Sequence, residues 1–90
     1  MKKSLYKISC KNLLTQIEYG LFKDANVKLI TYNLSGQKVG TLVNEHKKAG
    51  YYTVKWDGRD ETGNKVASGI YFYRLATPEY TLTKKMFFIR

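Results

Sequence analysis

Tyr51-Tyr52-Thr53-Val54-Lys55-Trp56, followed at once by Asp57-Gly58-Arg59-Asp60-Glu61-Thr62-Gly63-Asn64, is the stretch that decides the fold. The first six residues alternate. Tyr52, Val54 and Trp56 fall on one face and Tyr51, Thr53 and Lys55 on the other, the period-two pattern of a half-buried strand. The next eight are almost all turn formers. Gly58 and Gly63 are free to take positive φ, and the carboxylates of Asp57 and Asp60 can accept hydrogen bonds from turn N–H groups. A second apolar strand, Ile70-Tyr71-Phe72-Tyr73-Arg74-Leu75, follows the lead-in Lys65-Val66-Ala67-Ser68-Gly69.

Working outward, the same grammar of strand, turn and strand repeats. Gln16–Leu21 alternates polar and apolar residues, Lys23–Asn26 reads as a turn, and Val27–Tyr32 reads as a strand. Asn33–Gly36 supplies turn chemistry, Val39–Val43 makes another strand, and the polar run Asn44–Gly50 reads as a loop. Pro78 marks a turn because it cannot donate to a ladder, and Tyr80–Ile89 forms the last strand. The order Ile30-Thr31 inverts the alternation, so Thr31 is expected to face the core and Ile30 the solvent. No segment of helical period separates the strands, which excludes parallel βαβ units. The predicted fold is all-β, an antiparallel β-sandwich or small barrel of about six to seven short strands.

The chain has 90 residues, with 16 Lys and Arg against 7 Asp and Glu, a formal charge of +9. That length fits one small domain. Residues 1–14 read as a basic, loosely ordered leader and 15–90 as the domain. Lys7 and Lys11 interrupt the apolar stretch that a signal peptide needs, so no secretion signal is expected here. Four of the basic residues (Lys2, Lys3, Lys7 and Lys11) lie in this leader, so the remainder carries an excess of only five. The longest uncharged run is Leu29–Gln37, too short for a spanning helix of about twenty residues. Cys10 is the single cysteine, so no internal disulfide can form.

Little here supports chemistry. His46 stands alone in a polar, lysine-flanked run, and Cys10 lies among lysines without a partnering histidine; neither makes a nucleophile–base pair. No nucleophile elbow, phosphate-binding loop or dinucleotide fingerprint is present, and zinc would need more Cys and His ligands than these two. No enzyme and no cofactor are expected. Asp57 and Asp60 are the calcium candidates, but they are three apart with Arg59 between them and lack a closing bidentate glutamate; a role in bracing the loop is the expectation. A basic chain rich in Tyr and Phe also raises nucleic-acid binding. The spacing of Tyr52, Val54 and Trp56, and of Tyr71, Tyr73 and Leu75, is instead that of core faces, so a nucleic-acid partner is not expected.

The block Trp56-Asp57-Gly58-x-Asp60-x-x-Gly63-x-x-Val66-Ala67-Ser68-Gly69-Ile70-Tyr71-Phe72-Tyr73-Arg74-Leu75 resembles two related families of bacterial Ig-like domains. One is the carboxyl-terminal sorting domain of proteins exported by the type IX secretion system. The other is the Ig-like domain of the flagellar hook-capping protein. The likeness extends from about Thr15 to Arg90, through Tyr32-Asn33-Leu34-Ser35-Gly36-Gln37-Lys38-Val39 and the terminal Thr83-Lys84-Lys85-Met86-Phe87-Phe88-Ile89-Arg90. Both families imply an Ig-like sandwich, with Trp56, Asp57, Gly58, Asp60 and Gly63 as the structural motif. The terminal strand favours the sorting family. That likeness implies recognition of Gly69, Tyr71, Lys84, Lys85 and Arg90 by outer-membrane secretion machinery, and passage from the periplasm to the cell surface or medium. Sorting domains follow a cargo domain and a signal peptide, neither of which these 90 residues contain. The expectation is therefore a gene fragment or a stand-alone domain. The alternative is a structural Ig-like module of a flagellar hook-capping or cell-surface assembly.

Overall fold

The computed structural model describes residues 16–89, and 7–11 as backbone only. Seven strands run in chain order: β1 (Lys7–Lys11), β2 (Gln16–Leu21), β3 (Ala25–Tyr32), β4 (Lys38–Lys47), β5 (Gly50–Lys55), β6 (Gly69–Thr77) and β7 (Tyr80–Phe88). Every pairing is antiparallel, and no helix occurs among the described residues. The strands form two sheets, ordered β1-β2-β5 and β4-β3-β6-β7. Of the sandwich and barrel that the alternation allowed, the antiparallel β-sandwich is observed, in keeping with the Ig-like fold that the resemblance implies.

The two inner faces supply the core. From the smaller sheet come Ile17, Tyr19 and Leu21, and from the larger Val27, Leu29, Val39, Val43, Tyr71, Tyr73, Leu75, Met86 and Phe88. Trp56, at the exit of β5, closes one end. The central strands β3 and β6 bury alternate residues because successive side chains leave a pleated backbone on opposite faces. In β3 the order is buried then exposed from Ala25 to Leu29. The placement expected for Ile30 and Thr31 is observed, because the alternation runs unbroken to Tyr32 and puts Thr31 inward and Ile30 on the outer face. The register with β4 slips between Leu29 and Ile30 and again between Thr31 and Tyr32, the irregularity of a β-bulge. Thr31 is fully buried, and its hydroxyl donates to the Gly40 carbonyl at 3.3 Å. A buried hydroxyl needs that partner.

Two expectations require correction. The run Asn44–Gly50, read as a loop from its charges, is mostly strand: β4 continues to Lys47, pairing Val27 with Glu45, Asn26 with His46 and Ala25 with Lys47. Ladder bonds are made by the backbone, so polar side chains do not end a strand that still has a neighbour to pair with. Only Lys48 and Ala49 remain to carry the chain from one sheet to the other. The Asp24 carboxylate accepts from the Ala49 N–H at 2.8 Å and holds that crossing. Second, within the stretch read as a loose leader, the backbone of Lys7–Lys11 is β1, paired from Lys7↔Gly20 to Lys11↔Gln16. It covers an edge that β2 would otherwise leave open.

Candidate functional site: the Trp-Asp-Gly loop and the outer face of the larger sheet

The loop after β5 is built around Trp56 and Asp60. The indole is buried, lies 5.1 Å from the Tyr71 ring and 5.0 Å from that of Phe88, and donates through Nε1 to the Arg59 carbonyl at 3.1 Å. Its ring thus belongs to the core while its N–H fastens the loop. The Asp60 Oδ1 accepts from the Thr62 N–H (2.9 Å), the Thr62 hydroxyl (2.7 Å) and the Asn64 N–H (3.0 Å). These bonds, that of the Thr62 hydroxyl foremost, hold the carboxyl below the usual carboxylate range. Asp57 accepts from the Arg59 N–H at 3.1 Å. Gly58 and Gly63 both take positive φ, 75° and 89°, a region that costs a side chain strain. Val66 donates back to the Gly58 carbonyl, and the Glu61 N–H donates across to Val39 of β4.

Asp57 and Asp60 therefore serve the loop's own N–H groups. No cluster of three or more His, Cys, Asp or Glu that could hold a metal occurs among the described residues. The two calcium candidates stay at the level of a sequence expectation, with a structural use now visible for each.

The residues singled out for sorting do not form one site. Tyr71 is a core residue whose hydroxyl donates to the Ala67 carbonyl at 2.6 Å, and Gly69 opens β6 opposite Phe88. Lys84 and Lys85 are exposed on β7, an edge strand of the larger sheet. Arg90 lies outside the described residues. His46 sits on β4 with Nδ1 3.0 Å from Asn26 Oδ1 on β3, an exposed cross-strand pair. Cys10 lies on the backbone of β1, and its side chain is outside the described set.

A surface that the sequence reading passed over is the outer face of the larger sheet. The cross-strand register lines up Tyr32, Phe72 and Lys85, with Ile70 opposite Phe87 and Arg74 opposite both Ile30 and Thr83. Phe87 is 53% exposed, and Tyr32, Ile70 and Phe72 are half-buried. The signal was present. Ile70-Tyr71-Phe72-Tyr73 and Met86-Phe87-Phe88 are apolar in both phases of a strand, so one half of each must leave the core.

Residues 13–79 match the model of the FlgD Ig-like domain. The chain belongs to that family. The match takes in the Trp-Asp-Gly loop and the strands from β2 to β6, and stops short of β7. No curated protein matches the sequence. Of the two likenesses drawn from the residues, the hook-capping one is the one supported; no type IX sorting family emerged. In the FlgD Ig-like domain described here, the Trp56–Asp60 loop is thus a building element. Its pinned geometry at one end of the sandwich fixes where β5 leaves one sheet and β6 enters the other.

Proposed function

We propose that this FlgD Ig-like domain is a non-catalytic structural module of a flagellar hook-capping or cell-surface assembly. The observation that carries the reading is the family match over residues 13–79 on an Ig-like sandwich. Supporting it, the motif residues are spent on bracing a loop, and the only histidine pairs with Asn26 on the exposed surface of the sheet. A sandwich positions the loops it carries, which suits a module of an assembly. The test is a chimera in which this chain replaces the Ig-like domain of a hook-capping protein. Hooks that assemble and cells that swim are expected. A folded chimera that fails to assemble hooks overturns the reading.

One observation favours the second reading, a sorting domain recognised by outer-membrane secretion machinery: β7, at the sheet edge, displays Lys84 and Lys85 to solvent. Strand addition at such an edge is a known recognition mode. Fusing the whole chain, β1 included, to a periplasm-directed reporter in a host with type IX secretion tests it. A reporter that stays periplasmic, or is exported equally well after deletion of residues 84–90, sinks the sorting reading.

A further inference from the structure

We infer that the outer face of the larger sheet docks an acidic protein surface, through an apolar centre of Tyr32, Ile70, Phe72 and Phe87 flanked by Lys28, Arg74 and Lys85. The inference rests on the reading of this domain as an assembly module and names the chemistry of its partner.

The face is continuous across three strands. Tyr32 of β3 stands opposite Phe72 of β6, which stands opposite Lys85 of β7; Ile70 stands opposite Phe87 one step along. Directly opposed residues of an antiparallel pair lie within contact distance, and diagonal ones stay within reach of aromatic rings. Phe87 leaves more than half its surface in water, and Ile89 just beyond it is 80% exposed. Apolar side chains clustered on an open sheet face mark a binding surface, whereas scattered ones do not.

Charge decides the occupant. The outward positions of β3, β6 and β7 that share this face carry Lys28, Arg74 and Lys85 and no carboxylate, and among the described residues the one carboxylate at its β4 border, Glu61, is held by Lys38 at 3.3 Å. Arg74 is held by neutral groups: its guanidinium lies 4.7 Å from the Tyr32 ring centroid, and its Nε donates to the Thr83 hydroxyl at 3.2 Å. Among the described residues no acidic group pairs with Lys28 or Lys85. An apolar centre with a charged rim is the anatomy of a protein interface, and a rim of one sign selects a partner of the other. A second copy fits poorly. Each chain carries +9. The carboxylates of Glu45, Asp57, Glu61 and Glu79 are each taken by a cation of their own chain.

Two observations favour protein over nucleic acid. The Tyr32 ring is already occupied by Arg74, and aliphatic Ile70 stands between Phe72 on its own strand and Phe87 opposite. A strand of bases wants a succession of open aromatic faces; this centre suits interdigitating side chains.

The experiment is an NMR titration of the full chain with an extended peptide of about eight residues, one strand's length, alternating Glu with Leu and Phe. Its Gln-for-Glu counterpart and an oligothymidylate of matched length are the other probes. Saturable shifts centred on Ile70, Phe72, Arg74, Lys85 and Phe87 are expected, with binding of the Gln peptide weaker by about tenfold or more. Phe87→Ser and Lys85→Glu should each weaken the Glu peptide comparably, with the thermal midpoint of the fold serving as control. The inference is overturned by no saturable shift, by equal binding of the Gln peptide, by shifts confined to the β7 edge amides, or by tighter binding of the oligothymidylate on this face. The titration reads this surface alone, whereas the chimera reads assembly, so either can fail without the other.

Discussion

Replacing Trp56 tests whether one side chain holds both the core and the loop. Trp56→Ala removes a buried indole from against Tyr71 and Phe88. A truncation of that size costs about 3–5 kcal/mol, against a total stability of roughly 5–15 kcal/mol for a small domain. Trp56→Phe isolates the second role. Phenylalanine keeps an aromatic ring at the site but cannot donate to the Arg59 carbonyl, now 3.1 Å from Nε1. The lost hydrogen bond and the smaller ring together should cost about 1–2 kcal/mol, a fall in Tm of roughly 5–15 °C for a chain of this length. Trp56 is the only tryptophan, so its fluorescence disappears with it. Urea and thermal unfolding followed by far-ultraviolet circular dichroism are the suitable assays. Amide exchange adds a local readout: in Trp56→Phe, protection should fall in residues 57–66 before it falls in the sheets. A Trp56→Phe variant within about 0.5 kcal/mol of the parent, with loop protection unchanged, would show that the indole N–H anchors nothing.

Other expectations follow from the same contacts. Because its hydrogen bonds depress the folded Asp60 pKa, its stabilising effect is present above the unfolded carboxylate pKa and is lost as pH falls through the lower folded value; amide exchange at Thr62 and Asn64 should rise over that acidic range in the parent and already be fast at neutral pH in Asp60→Ala. Burial, partly offset by Lys47, raises the Tyr19 pKa, so its stabilising effect is lost as pH climbs above the ordinary tyrosine value. Spectrophotometric titration should therefore show a late-ionising component that shrinks by one tyrosine in Tyr19→Phe. A methyl group on Gly20 would sit 2.7 Å from the Tyr51 ring, so Gly20→Ala should cost about 0.5–1 kcal/mol more in the parent than in a Tyr51→Ala background. Additive unfolding free energies would refute that coupling. Tyr71→Phe, which deletes the 2.6 Å bond to Ala67, should lose about 1 kcal/mol in urea unfolding.

Much of this molecule could be read along the chain because sheets advertise themselves locally. Strict alternation in 51–56, glycines with turn-forming neighbours at 57–64, and a proline at 78 gave strands and turns at nearly their observed places. The inward place of Thr31 was readable too, because the alternation of β3 carries on through it although the side chain there is polar. Where the reading failed, the missing quantity was a neighbour. Asn44–Lys47 is strand because β3 lies beside it, and Lys7–Lys11 is strand because β2 does; neither partner is visible in the polar residues themselves. The Asp57–Asp60 pair could be weighed as loop brace or calcium ligand from spacing alone, but only the three hydrogen bonds to Asp60 show what that carboxylate does.

Read alone, the residues were enough for a basic, all-β chain and, through one motif block, its Ig-like kinship, because period, turn chemistry and motif spacing are properties of neighbouring residues. Only the tertiary structure decided which face of each doubly apolar strand meets the core. Tyr71 and Phe72, like Met86 and Phe87, are neighbours in sequence and opposites in the pleat. Packing the two sheets together buries Tyr71 and Met86, and leaves Phe72 and Phe87 with Arg74 and Lys85 on a surface that no single strand reveals.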